Sequence, residues 1–283
     1  MLSDLATKLA TLQEKLQEWE SILIAYSGGV DSSLLLKVAS MTPVKVLAVT
    51  AASPTYPQVE IDAATNLAKE LGVQHMVMNS KEMDNPEFCA NPPERCYHCK
   101  KELFADLQKL AREHGLKVIV DGANVDDCDD FRPGRKAAQE YGVKSPLQEA
   151  GLTKADIRQL ARHLGLPNWD KPSMACLSSR IPYGQAITPA KLAQVNAAEA
   201  YLRQLGLQEL RVRHHGSIAR IEVNAAAFAL LIDNQVRQAL VNHFHEIGFT
   251  YIALDLEGFR SGSMNAVLPV EEHGACVPPA LQQ

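Results

Sequence analysis

Residues 21–33 read Ser-Ile-Leu-Ile-Ala-Tyr-Ser-Gly-Gly-Val-Asp-Ser-Ser. The run 22–26 is wholly apolar, which predicts a buried strand of a parallel sheet. Gly28 and Gly29 follow at once, and helical periodicity resumes from Ser33. Glycines let backbone N–H groups approach an anion closely, and the start of a helix adds the positive end of its dipole. The stretch therefore predicts a strand, a phosphate-binding loop and a helix in succession.

The loop lacks the lysine of a Walker A motif. That motif places a lysine directly after its second glycine, whereas the next lysine here is Lys37, beyond the loop. Asp31 would repel a phosphate unless Mg²⁺ lay between the two. A lone glycine pair is equally typical of a plain strand-to-helix turn. The full hexapeptide Ser27–Ser32, directly after a buried strand, favours phosphate binding.

Strands and helices alternate along the first part of the chain. Strands are predicted at 22–26, 44–50, 73–78 and 117–121, and helices at 3–20, 33–40, 57–71 and 97–113. This alternation predicts an α/β fold, a doubly wound and mainly parallel sheet with its ligand at the carboxyl ends of the strands.

The pattern changes after about residue 170. A smaller α+β domain is predicted from a helix at 188–205, strands at 208–214 and 217–223, helices from 224 to 247 and a strand at 249–254. We therefore expect a first domain at 1–170, a linker loop at 171–187 that carries Cys176, a second domain at 188–268 and a flexible tail at 269–283.

Composition and charge narrow the classes of function. Lys and Arg number 28 against 33 Asp and Glu, a net charge of −5, whereas nucleic-acid-binding proteins usually show a basic excess. The longest apolar run, 225–232, is far shorter than the roughly 20 residues of a membrane-spanning helix. The first residues show no apolar segment of a signal peptide. We expect a cytoplasmic protein that binds neither nucleic acid nor membrane.

Cysteines form the next notable pattern. In a cytosolic chain, disulfides are not expected, so a close pair needs another explanation. Cys96-Tyr-His-Cys99 lies near the start of the helix at 97–113, where the helix dipole lowers a thiol pKa. The pair is compatible with a zinc half-site, a redox pair or part of an iron–sulfur site. Cys176 lies in a separate loop with Arg180. No role is assigned to Cys89, Cys128 and Cys276.

A second polar motif, Asp121-Gly-Ala-Asn-Val-Asp-Asp127, follows the fourth predicted strand. Gly122 allows close backbone approach and Asn124 offers a bidentate amide. Asp126 and Asp127 either hold a metal ion or cap the next helix.

Together with Ser27–Ser32, this motif resembles the PP-loop ATP pyrophosphatases, which cleave ATP between the α- and β-phosphates. Asp130-Phe-Arg-Pro-Gly134 is typical of a narrower set within that group. The resemblance implies ATP and Mg²⁺ as cofactors, with Asp31 as a catalytic residue and Mg²⁺ ligand. It implies these nucleotide-binding residues: Ser27, Gly28, Gly29, Asp31, Ser32, Thr50, Met78, Gly122 and Asn124.

Further motifs resemble the ATP-dependent sulfur transferases called LarE over nearly the whole chain. These motifs are Ser27–Ser32, Arg95–Lys100, Asp121–Asp127, Met174–Arg180 and Arg211-Val-Arg213. The resemblance implies adenylylation of the carboxylates of pyridinium-3,5-biscarboxylic acid mononucleotide and their conversion to thiocarboxylates, for the nickel-pincer cofactor of lactate racemase. It also implies a homo-oligomer and a functional link to a nickel insertase and a carboxylase of the same pathway.

Members of this family differ in where the transferred sulfur comes from. Some members sacrifice the cysteine that matches Cys176, whose Cβ–S bond breaks to leave dehydroalanine. Others resemble this chain in having Cys96, Cys99 and Cys176 together and are thought to hold a [4Fe–4S] cluster. We favour the cluster version, with zinc or bare thiols as the remaining alternative.

A pair of arginines marks the second domain. Arg211 and Arg213 are two apart on a predicted strand, so both point to one face, which suits a mononucleotide phosphate. A solvated strand face with salt bridges is the alternative. The LarE resemblance implies a substrate-phosphate site formed by Arg180, Glu199, Arg211, Arg213 and Glu222.

Rival functions use parts of the same pattern. A tRNA thiolase also joins a PP-loop to cysteines but should have a basic surface. An amidating synthetase of the NAD or GMP type leaves the cysteines without a role. A nucleotide sensor without enzymatic activity would not need Asp31 together with Asp126 and Asp127.

Overall fold

The computed structural model of the chain describes residues 2–128, 133–172, 175–260 and 262–267. Met174 of the cysteine loop, residues 130–132 of the Asp130–Gly134 motif, Cys276 and the tail predicted from Pro269 lie outside these ranges. The domain boundaries given above stay predictions.

The first sheet confirms the predicted α/β arrangement. Its strands are all parallel and run in the order β3-β2-β1-β4. The strands are β1 Ser21–Ala25, β2 Lys45–Ala52, β3 Gln74–Asn79 and β4 Val118–Val120. The helices of this part are α1 Leu2–Glu18, α2 Val30–Ser40, α3 Gln58–Glu70, α4 Pro86–Cys89, α5 Arg95–Glu113, α6 Gly134–Glu140, α7 Pro146–Glu149 and α8 Lys154–His163.

Helices cover both faces of this sheet, which explains why β1 is apolar at successive positions. Ile22 and Ile24 pack with α1, α2, α3 and α8 on one face, whereas Leu23 packs with Phe104 and Leu107 of α5 on the other. A strand buried on both faces has no polar side to alternate with. Helices α6 to α8 were not among the predicted elements.

The second sheet is smaller and mixed. Strand β5 pairs with β6 antiparallel, and β6 pairs with β7 parallel. Its elements are α9 Pro189–Gln204, β5 Leu210–His215, β6 Ile218–Val223, α10 Phe228–Ile232, α11 Asn234–Glu246 and β7 Tyr251–Leu254. Along β5, Leu210 and Val212 enter an apolar core with Phe244, which leaves Arg211 and Arg213 on the opposite face.

A small apolar cluster connects the part of the chain that holds the first sheet with the part that holds the second. Phe88 of α4 packs with Leu177 and Ile181 of the cysteine loop and with Leu192 of α9. Short 3₁₀ segments lie at Glu82–Asp84, Val125–Cys128, Leu177–Arg180, Ala225–Ala227 and Ser263–Val267. No helix in the described ranges has the length and apolar character needed to cross a membrane.

Candidate functional site: a phosphate loop, a thiol cluster and buried arginines

The loop between β1 and α2 is compact and glycine-dependent. Gly28 has φ +71°, and a Cβ added there would lie 2.8 Å from the Cβ of Ala64 on α3. The hydroxyls of Ser27 and Ser32 lie 3.1 Å apart, and Ser32 also donates to the carbonyl of Gly29 at 3.1 Å. Gly29 is the N-cap of α2 and provides no side-chain cap for the first N–H groups of the helix. This geometry suits an anion.

The second motif lies directly against this loop. A Cβ added to Gly122 would lie 2.9 Å from the backbone nitrogen of Ser32, so only glycine allows this approach. The buried Asn124 donates from Nδ2 to Oδ1 of Asp31 at 3.2 Å. Asp127 accepts from the backbone N–H of Asn124 at 3.0 Å. The structure thus brings Ser27–Ser32, Gly122 and Asn124 together.

Thr50 and Met78 occupy different places relative to the loop. Thr50 is buried, and its hydroxyl donates to the carbonyl of Tyr26, immediately before the loop, at 2.8 Å. Met78 lies on β3, two strands from β1, and packs against the apolar cluster around Phe104. The structure therefore places Thr50, but not Met78, directly next to the loop.

Sequence reasoning missed two side chains at the loop. Lys154, the first residue of α8, forms an ion pair with Asp31, and its backbone N–H donates to Asp126 at 2.8 Å. Asn168 donates from Nδ2 to the carbonyl of Gly28 at 3.1 Å and to the hydroxyl of Ser33 at 2.9 Å. Nothing in the local sequence around either residue points to the loop, because both arrive from more than a hundred residues away.

The cysteines lie where the two parts meet. Cys96 is exposed in the first turn of α5, Cys99 packs in the apolar cluster of Phe88, and Cys176 immediately precedes Leu177. Burial, the nearby carboxylate of Glu82 and the thiol of Cys176 raise the pKa of Cys99. The prediction that a helix dipole lowers a thiol pKa here is therefore wrong for Cys99, since desolvation is the larger effect.

The thiols of this region are neither bonded to one another nor part of a compact group of ligands. Cys89, Cys96, Cys99 and Cys176 form no disulfide. Across the described ranges, no three His, Cys, Asp or Glu side chains are placed to hold one metal ion. Burial and the thiols of Cys99, Cys176 and Cys96 nevertheless raise the pKa of Tyr56, so these groups share one electrostatic neighbourhood.

A buried carboxylate beside the thiols also escaped sequence reasoning. Glu82 is fully buried and accepts hydrogen bonds from the hydroxyls of Ser53, Thr55 and Ser80. The carbonyl of Thr55 in turn accepts the N–H of Leu177 at 2.8 Å. Glu82 therefore helps to hold the backbone next to Cys176.

The arginine cluster is buried and already paired. Arg180 is fully buried, and its guanidinium donates to both oxygens of Glu199 at 2.8 and 3.0 Å. Arg213 donates to Glu222 at 2.8 Å and to the carbonyl of Ser179 at 2.9 Å. Arg211 lies over the ring of Phe259, 5.0 Å from its centroid. The structure brings together every residue of the implied substrate-phosphate site.

Burial corrects one part of the alternative interpretation of the arginine strand. Arg211 and Arg213 are 7% and 4% exposed, so the face is not solvated, although Arg213 forms the salt bridge to Glu222 that this alternative included. Burial and the neighbouring Arg180 lower the pKa of Arg211 to about 10. Burial alone would raise the pKa of Glu199, but Arg180 lowers it below the usual value. Binding of an additional anion at these guanidinium groups should therefore be favourable.

Arg180 connects this cluster to the cysteine loop. Its Nη1 donates to the carbonyl of Ala175 at 2.8 Å and to the carbonyl of Cys176 at 3.1 Å. One side chain therefore contacts both the backbone of Cys176 and the carboxylate of Glu199. The side chain of Arg180 thus links the candidate sulfur donor, Cys176, to the candidate phosphate site.

Comparison with known proteins supports one family. The pyridinium-3,5-bisthiocarboxylic acid mononucleotide synthase of Lactiplantibacillus plantarum is 41% identical over 271 residues, 94% of this chain and 97% of that protein. An uncharacterized protein of Synechocystis is 45% identical over 265 residues, 93% and 99% of the two chains. A tRNA-specific 2-thiouridylase of Rhizobium johnstonii is 27% identical over 235 residues, 67% of this chain and 57% of that protein. No protein-family model matches the chain.

Proposed function

The chain belongs to the LarE family of pyridinium-3,5-bisthiocarboxylic acid mononucleotide synthases, and we propose that it carries out this synthesis. It uses ATP to activate the carboxylates of pyridinium-3,5-biscarboxylic acid mononucleotide and replaces one oxygen of each by sulfur. The observation that carries the proposal is the position of Arg180, which joins the backbone of Cys176 to the arginine cluster. A substrate held there by its phosphate lies beside the sulfur donor.

The first step forms an acyl adenylate. A carboxylate oxygen of the substrate attacks the α-phosphorus of ATP, the bond to the bridging oxygen breaks, and pyrophosphate leaves. The backbone N–H groups of Ser27–Ser32 bind the departing pyrophosphate. Asp31 and Asn124 offer the oxygen ligands that suit Mg²⁺, which when bound neutralises phosphate charge.

The second step transfers sulfur. A sulfur nucleophile attacks the activated carbonyl carbon and AMP leaves, which gives a thiocarboxylate; a second round converts the other carboxylate. Arg211 and Arg213 hold the mononucleotide phosphate during both rounds.

The sulfur source is proposed to be a [4Fe–4S] cluster held by Cys96, Cys99 and Cys176. Cysteine thiolates are the usual ligands of such clusters, and these thiols share one neighbourhood without forming a disulfide. When bound, the cluster supplies an iron that can carry an added sulfide. In the alternative version, Cys176 itself gives up its sulfur and becomes dehydroalanine.

A tRNA substrate is less well supported. The similarity to the tRNA-specific 2-thiouridylase is lower and covers less of the chain, and the net charge of −5 opposes a polyanion. We propose that the protein acts in the cytoplasm as a homo-oligomer, with its substrate made by a carboxylase and its product used by a nickel insertase.

The test of the reaction is product analysis by mass spectrometry. Protein, ATP, Mg²⁺, sulfide and the biscarboxylic mononucleotide should yield AMP, pyrophosphate and a product in which sulfur replaces one oxygen of each carboxylate. Formation of ADP and phosphate would contradict cleavage between the α- and β-phosphates. Unchanged substrate in the presence of AMP formation would contradict the sulfur-transfer step alone.

The test of the sulfur source uses single cysteine variants. After anaerobic reconstitution, Cys96→Ala, Cys99→Ala and Cys176→Ala should each lose iron–sulfur absorption, whereas Cys89→Ala should keep it. Cys89 is the matched control because it packs in the same apolar cluster, with its thiol donating to the carbonyl of Met83 at 3.2 Å. If only Cys176→Ala stops transfer, and used protein has lost the mass of one H₂S, the sacrificial version holds.

A further inference from the structure

Asn91 lies in the turn between α4 and α5, a short distance before Cys96 in the chain. It is fully buried and has φ +58°, a left-handed conformation that asparagine adopts more readily than most residues. Its backbone N–H donates to the carbonyl of Phe88 at 3.0 Å, which closes the turn. A fully buried amide needs partners for both its oxygen and its N–H groups.

The side chain of Asn91 holds the end of the cysteine loop. Its Nδ2 donates to three backbone carbonyls, at 3.1, 2.8 and 3.1 Å, which belong to Ile181, Pro182 and Gln185. The backbone adds two more bonds: the N–H of Gly184 donates to the carbonyl of Asn91 at 3.0 Å, and the N–H of Ile187 donates to the carbonyl of Cys89 at 2.8 Å. The turn before α5 is therefore bonded directly to the loop that carries Cys176.

Arg95, the first residue of α5, fixes the orientation of this amide. Its Nη1 donates to Oδ1 of Asn91 at 3.2 Å. A guanidinium only donates and a backbone carbonyl only accepts, so the amide oxygen must face Arg95 and the amide nitrogen must face the loop. The guanidinium also lies over the ring of Tyr183, 4.6 Å from its centroid, and Arg95 is 6% exposed. Arg95 thus contacts both the turn and the cysteine loop, one residue before Cys96.

These contacts join the two segments that carry the thiols. Cys96 and Cys99 lie on α5, whereas Cys176 lies in a loop that reaches α5 only through tertiary contacts. Cys99 and Leu177 share an apolar cluster, but apolar contacts are not directional. Hydrogen bonds to an oriented amide do have a preferred direction, so they can fix where the loop lies along α5.

We propose that Asn91 is the positioning residue that holds Cys176 within reach of Cys96 and Cys99, with Arg95 keeping its amide in the required orientation. Loss of the amide leaves Cys96 and Cys99 in place on α5 and releases the loop, so only the third thiol moves away. No bond forms or breaks in this role, and no group changes its charge. This role rests on the proposed function in its three-cysteine version.

Cross-linking of thiol pairs on the full chain, without iron, ATP or substrate, tests the role of Asn91. The reagent is dibromobimane, which becomes fluorescent when it joins two nearby thiols. One background keeps only Cys99 and Cys176, and a second keeps only Cys96 and Cys99, with every other cysteine replaced by serine.

Asn91→Gly is the first variant, because glycine accepts a positive φ without strain. It should slow cross-linking of Cys99 to Cys176 by about tenfold or more, the effect of losing two to three neutral hydrogen bonds. Cross-linking of Cys96 to Cys99 should be unchanged, because both thiols lie on α5. Unchanged rates in both backgrounds, equal slowing in both, or no link between Cys99 and Cys176 in the chain with Asn91 would overturn the proposal.

Asn91→Asp separates the N–H donors from the shape of the side chain. Aspartate is similar in size to asparagine, but its carboxylate has no N–H to donate and would face three carbonyls. It should slow cross-linking of Cys99 to Cys176 at least as much as Asn91→Gly does, and it decides the question if Asn91→Gly does not fold. Cross-linking at the rate of the chain with Asn91 would contradict the role of the amide.

Tyr183→Phe is the control for the contact with Arg95. It keeps the ring below the guanidinium and removes only the hydroxyl, which donates to Oδ1 of Asn265 at 3.0 Å. The rate of cross-linking should not change. Slowing as large as that of Asn91→Gly would mean that the contact with Asn265, and not the amide of Asn91, holds the loop.

Gln194 provides a matched control for the loss of an amide. Its Nε2 donates to the carbonyl of Ile247 at 2.9 Å, and its Oε1 lies 3.0 Å from Nε2 of His214. Gln194→Ala should lower the midpoint of thermal unfolding but leave cross-linking of Cys99 to Cys176 unchanged. Slowing as large as that of Asn91→Gly would mean that any loss of stability frees the loop, which also overturns the proposal.

These measurements need neither the mononucleotide nor a cluster. If the protein makes no thiocarboxylate and Asn91 still governs cross-linking, the proposed function fails and the positioning role stands. If thiocarboxylate forms and cross-linking does not depend on Asn91, only the positioning role fails.

Discussion

The loop between β1 and α2 and the arginine cluster, the two proposed phosphate sites, are built in opposite ways. The loop presents backbone N–H groups and a part-exposed aspartate, paired with one lysine that has a flexible side chain. In the arginine cluster, the buried Arg180 and Arg213 are paired with the fully buried Glu199 and Glu222. Changes in the loop should therefore act mainly on ligand binding, whereas changes in the arginine cluster should act on folding as well.

Removal of Glu199 should produce the largest effect on stability. Glu199→Ala leaves Arg180 buried without its carboxylate partner and leaves the backbone N–H of Val212 without its acceptor. Loss of one partner of a buried ion pair costs about 3–5 kcal/mol. Urea denaturation measures this loss, and Glu209→Ala, at an exposed position nearby, should change stability by less than about 0.5 kcal/mol. Equal losses would contradict the view that the cluster stabilises the fold.

Gly28 is a loop position at which a substitution should also lower the stability of the fold. Gly28→Ala forces an L residue to φ +71°, which costs about 1–2 kcal/mol. Its contact with Ala64 adds about 1–3 kcal/mol of overpacking. Gly72→Ala is the control, because its φ is +66° but no atom lies within 4 Å of the added Cβ. Thermal unfolding should show a larger loss for Gly28→Ala, and equal losses would mean that the approach of α3 is not tight.

Arg213 separates substrate affinity from nucleotide affinity. Arg213→Ala should weaken binding of the pyridinium mononucleotide by about 1.5–3 kcal/mol, or about 10- to 150-fold, and spare ATP. Arg213→Lys should recover only part, because an ammonium cannot form the planar fork of a guanidinium. Calorimetric titration of both ligands measures the difference. Normal mononucleotide binding by Arg213→Ala would leave Arg213 with only a structural role, as a partner of Glu222 and Ser179.

Asp31 should show the smallest effect on stability. Its ion pair with Lys154 is part-exposed on both sides, so Asp31→Asn should change the free energy of unfolding by less than about 1 kcal/mol. Formation of AMP and pyrophosphate should nevertheless stop, because a proposed Mg²⁺ ligand is lost. A large loss of stability would erase the contrast between the loop and the arginine cluster.

Local sequence was sufficient for much of the first part of the chain. The apolar run of β1, the glycine pair and the restart of helical periodicity predict the strand, loop and helix that the structure contains. The parallel sheet follows from the alternation of such units. In the second part, the pairing of β6 with β7 was not predicted, because it joins strands separated by two helices.

What the sequence by itself determined is the set of motifs and their chemistry: a phosphate loop without a lysine, a cysteine pair with a third cysteine, and two arginines on one strand face. Only the tertiary structure decided which distant groups complete them. Lys154 and Asn168 reach the loop, Glu82 reaches the thiols, and Glu199 balances Arg180. The reason is physical: periodicity and glycine conformation act between neighbours in the chain, whereas charge pairing and burial depend on which surfaces the fold brings together.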